Sequence, residues 1–387
     1  MPEPIYLDHS ATTPVRPEVL EAMLPFFGPR FGNPSSTHRW GREARVALDE
    51  ARERLARSIG ASADEICFTS GGTESDNLAV LGAWRALRQS RPAVVSTPIE
   101  HKAVLAAIHE VEAEGGVARL VDVGRDGVVN RDSFDAALGD DVALCSVMWV
   151  NNEIGTIQDV PSLAAAARAR GALFHTDGVQ ALGKVPIDVR SIAVDYLSIS
   201  GHKVGAPKGI GALYVRRGVP ITPLMYGGAQ DRGRRPGTEN VAMAVGFARA
   251  VELAVAEREG EWARLEALRD KLEAALLAKI PDAVVHGRGA RRAPHVLNIS
   301  VPGTDSESML MALDLQGVAC SAGSACQSGS IDPSHVLTAC RVPHELAVGS
   351  VRLSLGSLST EAHVARVAEL FPALITKARR LSGLMTG

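Results

Sequence analysis

Between residues 41 and 215 helical stretches alternate with short apolar runs, and this alternation constrains the fold more than any other feature of the chain. It is the pattern of a mainly parallel sheet covered by helices on both faces, because each parallel strand needs a crossover long enough to carry a helix. Residues 42–59 are helical by spacing, with Ala44, Leu48, Ala51 and Leu55 on one stripe. The runs 93–96, 117–121, 142–149, 172–175, 194–199 and 211–215 each suit a buried strand. A long helical pattern over 240–280, with Leu265, Leu268, Leu272 and Leu276 aligned, leads out of this first domain. The expected division is a large domain over 15–255 and a smaller α+β domain made of 1–14 and 256–387. The smaller domain has strands near 296–300 and 351–355, helices near 306–316 and 360–381, and a Ser/Gly-rich loop at about 321–335.

With 387 residues, of which 46% are hydrophobic and 22% charged, the chain can bury a sizeable core. A net charge of −3, with Lys and Arg scattered among Asp and Glu, argues against nucleic acid or an anionic membrane as partner. Residues 1–14 carry charges and a Thr-Thr-Pro turn where a signal peptide would need an apolar stretch, and no later run is long enough to span a bilayer. The five cysteines are odd in number and form no Cys-x-x-Cys pair, which disfavours a disulfide framework and a zinc site. A reducing, cytoplasmic compartment is therefore expected.

In an open parallel sheet ligands bind beyond the carboxyl ends of the strands, so the polar residues following each apolar run are the ones that carry chemistry. Here they are Asn151, Asn152 and Glu153, then Asp177 and Gln180, then Ser200, Gly201, His202 and Lys203. Upstream, Thr69-Ser70-Gly71-Gly72-Thr73 places small residues directly before a helix, where free backbone N–H groups can hold a phosphate. A lysine at one strand end and an aspartate at its neighbour are what a pyridoxal phosphate site requires. The amine forms the Schiff base, and the carboxylate keeps the ring nitrogen protonated so that the ring acts as an electron sink. Taken singly, Ser-Gly-His-Lys is often just a loop and an Asp after a strand is commonly a helix cap. Their occurrence in order, at successive strand ends, favours the cofactor site.

At these residues the chain resembles the class I (NifS/IscS-type) cysteine desulfurases, fold-type I pyridoxal-phosphate enzymes of the class-V aminotransferase family. The resemblance covers nearly the whole sequence. It rests on Leu7-Asp8-His9-Ser10-Ala11-Thr12-Thr13-Pro14, Gly32-Asn33-Pro34-Ser35-Ser36, Thr69 to Asn77, and Glu100-His101-Lys102. It continues through Asn151-Asn152-Glu153, Ser200-Gly201-His202-Lys203, Arg235-Pro236-Gly237-Thr238, Gly323-Ser324-Ala325-Cys326 and Pro333-Ser334-His335. One departure stands at Tyr226-Gly227-Gly228-Ala229-Gln230-Asp231, with Ala and Asp where the family more often has Gly and Glu.

The resemblance implies an α/β fold with a seven-stranded, mainly parallel sheet between helices, plus the smaller domain. It implies pyridoxal 5'-phosphate bound by Gly72, Thr73, Ser200 and His202 at its phosphate, with Thr238 contributed by the other subunit of a homodimer. Lys203 would carry the Schiff base, Asp177 face the ring nitrogen, His101 stack on the ring and shuttle protons, and Gln180 meet the phenolic oxygen. Asn152, Arg352 and Asn33 would contact the substrate, with Arg352 gripping its α-carboxylate through two parallel hydrogen bonds.

Cys326 lies in a stretch too small and polar to be a core element, whereas Cys145, with Leu144 and Val147 close by in sequence, suits a structural place. The resemblance assigns Cys326 the thiolate that takes sulfur from L-cysteine, leaving a persulfide and alanine, with Lys203 as base. Sulfur would then pass to an acceptor such as an iron–sulfur scaffold. No resident metal is implied, although a transient ligand role for Cys326 toward an iron–sulfur cluster is allowed. Cys320 and Cys340 receive no role. Two rival readings stay open: another reaction on a small amino acid, such as that of a selenocysteine lyase or aminotransferase, and a persulfide carrier with little turnover.

Overall fold

The computed structural model describes residues 4–322 and 333–381. Its strands are β1 (Ile5–Tyr6), β2 (Ile66–Thr69), β3 (Ala93–Ser96), β4 (Val117–Leu120), β5 (Val142–Ser146), β6 (Leu173–Asp177), β7 (Tyr196–Ser200), β8 (Gly211–Val215), β9 (Val284–Val285), β10 (Val296–Ser300), β11 (Val318–Ala319) and β12 (Ser350–Ser354). Seven of them form one sheet in the order β2-β8-β7-β6-β5-β3-β4. β8 alone runs antiparallel to both its neighbours, so β2 points the same way as β7 and the remaining strands.

Alternation along each strand sorts its side chains between two helical layers. Val94 and Leu144 pack with Trp84, Val104 and Leu213, while Val95 and Cys145 join the opposite core with Leu48, Leu55 and Phe247. β4 departs from the expectation of a buried strand: Val117 and Leu120 are exposed, because this strand lies at the sheet edge and, among the described residues, pairs only with β3. The run expected over 142–149 leaves the ladder at Ser146, after which the Met148 N–H turns to the Glu100 carboxyl.

β9, β10 and β12 form a three-stranded antiparallel sheet, and the N-terminal β1 pairs in parallel with β11. Leu7, Leu297, Leu353 and Phe371 share a core with Leu265, Leu272 and Leu276. The helix Val241–Lys279 is continuous over 39 residues and is capped by Asn240, whose side chain accepts from the Met243 N–H. Its first half buries Val241, Phe247 and Val251 in the large core, and its second half serves the smaller one. The two halves thus bury different partners with no break between them.

Candidate active site

The carboxyl ends of β2, β5, β6 and β7 open on one side of the sheet, and the segments that leave them wall a cavity of about 310 Å³. Gly72, Thr73, His101, Asn152, Asp177, Gln180, Ser200, His202, Lys203 and Arg352 all line it. Asn33 does not: it is exposed, and its side chain accepts from the Ser35 N–H at 2.9 Å. Thr238 lines a separate cavity with Thr69, Ser70 and Arg235. Cys326 lies outside the described residues.

Lys203 Nζ donates to two carbonyls of the N-terminal segment, Ser10 O at 2.5 Å and Ala11 O at 2.7 Å. Burial pushes its pKa down to about 8, helped by the Arg352 and Lys184 cations and opposed by Asp177 and Asp8. An amine in that state is available as a nucleophile or base near neutral pH. Arg352 is 4% exposed and reaches across from β12, donating through Nη1 to Asn152 O at 3.0 Å and through Nη2 to Asp8 Oδ1 at 2.9 Å.

His101 caps the helix Lys102–Ala113, its Nδ1 accepting from the Ala103 N–H at 3.1 Å, and its ring opens on the cavity. The cavity walls still withdraw it from bulk water, which lowers its pKa. Asn151, fully buried, locks the turn after β5. Its Oδ1 accepts from the Glu153 and Ile154 N–H groups, and its Nδ2 donates to Ile99 O. One side chain therefore fixes both the Asn152 and the His101 segments.

Three carboxyls are withdrawn from water under the cavity. Asp177, 6% exposed, accepts from the Val179 N–H at 2.9 Å. Asp76, 1% exposed, lies 3.6 Å from His175 Nε2, and that ring is held between Ser146 Oγ and Ser198 Oγ. Glu100 accepts from the Thr97 hydroxyl and the Met148 N–H. Burial raises the pKa of each, and Asp177 further raises the other two. Such a group cannot all ionise. Asp177 alone has His101 and Lys203 drawing its pKa back down against the burial that raises it.

Asp8, Asp76, Glu100 and His335, whose Nε2 lies 2.9 Å from Glu100 O, stand in motifs read from the sequence but were given no role there. Apart from the Thr97–Glu100 hydrogen bond, the side-chain contacts named for them run to residues far along the chain, which local spacing does not reveal.

The cavity suits a phosphorylated ring. The helix Gly72–Leu87 points its N-terminus at it, and the buried Ser200 Oγ above that end has no hydrogen-bond partner among the described residues. A Cβ on Gly72 would come within 3.0 Å of Val179 Cγ2, so the backbone approach is kept open by glycine. Opposite, the Lys203 amine and the Asp177 carboxyl line the same space, as imine formation and ring protonation demand.

Comparison with known proteins agrees. The family model for aminotransferase class-V matches residues 5–367. Cysteine desulfurase IscS of Dictyoglomus turgidum is 46% identical over 99% of this chain and 97% of its own length. Cysteine desulfurase NifS of Azotobacter vinelandii is 44% identical over 99% of this chain and 95% of its own. A solved NifS-like protein superposes with a TM-score of 0.91 at 35% identity, covering 97% of this chain and 100% of that one. A mainly parallel sheet, a lysine and an aspartate at its strand ends, and near full-length similarity lead to one conclusion: the chain belongs to the pyridoxal-phosphate-dependent aminotransferase class-V family, among its cysteine desulfurases.

Proposed function

We propose that the protein removes sulfur from free L-cysteine, carries it as a persulfide on Cys326 and releases L-alanine. The observation that carries this reading is the convergence of Lys203, Asp177 and Arg352, from three separate strands or their ends, on one cavity. Pyridoxal phosphate, when bound, supplies an electron-withdrawing ring that accepts the electron pair left on the α-carbon.

Gly72, Thr73, Ser200 and His202 hold its phosphate, and Thr238 of the partner subunit adds a contact in a homodimer. Asp177 holds a proton at the ring nitrogen. His101 and Asn152 cover the ring face, and Gln180 meets the phenolic oxygen. Arg352 orients the substrate α-carboxylate, and Lys203, neutral at a lower pH than an ordinary lysine, takes the α-proton. In this reading residues 15–255 are the cofactor-binding domain, and 1–14 with 256–387 form the smaller domain bearing the Cys326 loop.

Cys326 is supported by the state of the other thiols. Cys67, Cys145 and Cys340 are buried and Cys320 is half-buried. Burial pushes all four pKa values up, to about 12 for Cys320 and Cys340, so none supplies thiolate at neutral pH. The acceptor is an iron–sulfur scaffold or another sulfur carrier of the cytoplasm; no described helix is long and apolar enough to cross a membrane.

The test is turnover by purified, cofactor-loaded protein given L-cysteine and a thiol reductant. Alanine and sulfide in equal amounts are expected. Cys326→Ser should keep the visible band and lose the persulfide; sulfide release by that variant at the parent's rate would sink the assignment.

A further inference from the structure

Gln180 enters the cavity wall with both ends of its amide engaged. Its Nε2 donates at 2.9 Å to Ser10 O, the carbonyl that also accepts from Lys203 Nζ. Its Oε1 lies 3.2 Å from His295 Nε2. A backbone carbonyl only accepts, so the amide must turn its NH2 to Ser10 and its oxygen to His295, which then carries its proton on Nε2. His295 is 1% exposed, and its Nδ1 has no hydrogen-bond partner among the described residues, as befits the bare nitrogen of a neutral ring. Burial foremost, then Lys184, His9, Arg352 and Arg269 around it, disfavour a second proton. The tautomer is therefore locked. Ser10 takes one hydrogen of the Gln180 NH2, and the second remains for the cavity that Gln180 lines.

We infer that His295 is a positioning residue that, together with the Ser10 carbonyl, fixes the Gln180 amide so that it offers the cavity a hydrogen-bond donor and not an acceptor. The inference rests on the pyridoxal phosphate reading, in which Gln180 faces the phenolic oxygen. A fixed donor there stabilises negative charge on that oxygen, which then competes less well for the neighbouring proton. Without His295, Gln180 Oε1 is left buried with no donor, and the amide reorients to find one.

The pH midpoint of the visible absorbance change of the loaded protein reads this directly. His295→Leu should raise the midpoint by about one pH unit, the size of one lost hydrogen bond to a charged oxygen. His295→Gln, which keeps a donor of similar reach, should restore more than half of the shift. Gln180→Leu should raise the midpoint at least as far, and His295→Leu added to it should move the value no further. Where the leucine variant does not fold, His295→Asn, polar but too short to reach Gln180, must give the same rise. A midpoint unchanged in a folded variant, or a shift that adds in full to that of Gln180→Leu, would overturn the inference. A parent protein with no visible band after incubation with pyridoxal phosphate would overturn both this and the function it rests on, and is recognised before any mutation is made.

Discussion

Asp8 and Arg352 are 344 residues apart in the chain, yet Asp8 Oδ1 accepts a 2.9 Å hydrogen bond from Arg352 Nη2 at the cavity wall. Two and three residues beyond Asp8, the carbonyls of Ser10 and Ala11 accept from Lys203. The N-terminal segment thus ties together the proposed substrate-binding cation and the proposed cofactor lysine, and Arg352 already holds a carboxylate.

Arg352→Lys keeps the charge but loses the planar two-pronged grip. The KM for L-cysteine should rise about 10- to 100-fold with the visible band of the loaded protein unchanged. Steady-state kinetics decides, and an unchanged KM would remove Arg352 from substrate binding.

Ser200→Ala deletes the buried hydroxyl that lacks a partner among the described residues. If that hydroxyl waits for a phosphate oxygen, the dissociation constant of pyridoxal phosphate should rise about 5- to 10-fold. Absorbance titration of the cofactor-free protein measures it; equal affinity would place the phosphate elsewhere.

Alkylation by iodoacetamide at about pH 8 should modify Cys326 first, because the reagent takes thiolate and not thiol. Cys320 and Cys340, pushed up to about 12, and the fully buried Cys67 and Cys145 should stay unmodified until the protein unfolds. Peptide mapping by mass spectrometry reads the order.

Burial raises the Glu100 pKa from 4.5 to about 8, so the folded state keeps a proton that the unfolded state gives up. The stabilisation from this group is complete below pH 4.5 and is lost as pH rises through about 8. Within that window stability should fall by about 1.4 kcal/mol per pH unit on account of this one proton. Denaturant unfolding across the window should show a flatter profile for Glu100→Gln, which cannot release a proton. Parallel profiles would mean that Glu100 ionises in the folded protein.

Asp231, at the departure from the family's usual residue, sits at φ +45° and pairs with Arg52 at 2.6 Å, both side chains buried. It also accepts from the Phe68 N–H, on the strand that leads into the Gly71–Gly72 turn. Asp231→Ala leaves the Arg52 charge buried without its partner and should cost about 3–5 kcal/mol of stability. A chemical denaturation curve tests this, and a loss below about 1 kcal/mol would show that Arg52 finds water or another acceptor.

The alternation of helical stretches and apolar runs was enough to foresee a mainly parallel sheet, since side-chain period reports which faces of a segment are buried. The polar residues after β5, β6 and β7 were legible for the same reason: a strand's apolar run ends where the cavity begins. What local pattern does not carry is which distant segments close on one another. The edge position of β4, the exposure of Asn33, the Asp8–Arg352 pair and the Gln180–His295 contact each depend on pairing order and on loops that meet only in the folded chain. The continuous helix Val241–Lys279 makes the same point, because one unbroken segment serves two cores whose other members lie far away in sequence. Residue types and their spacing set the elements and the chemistry on offer, and tertiary closure chose the partners, because burial and charge pairing act between surfaces and not along the chain.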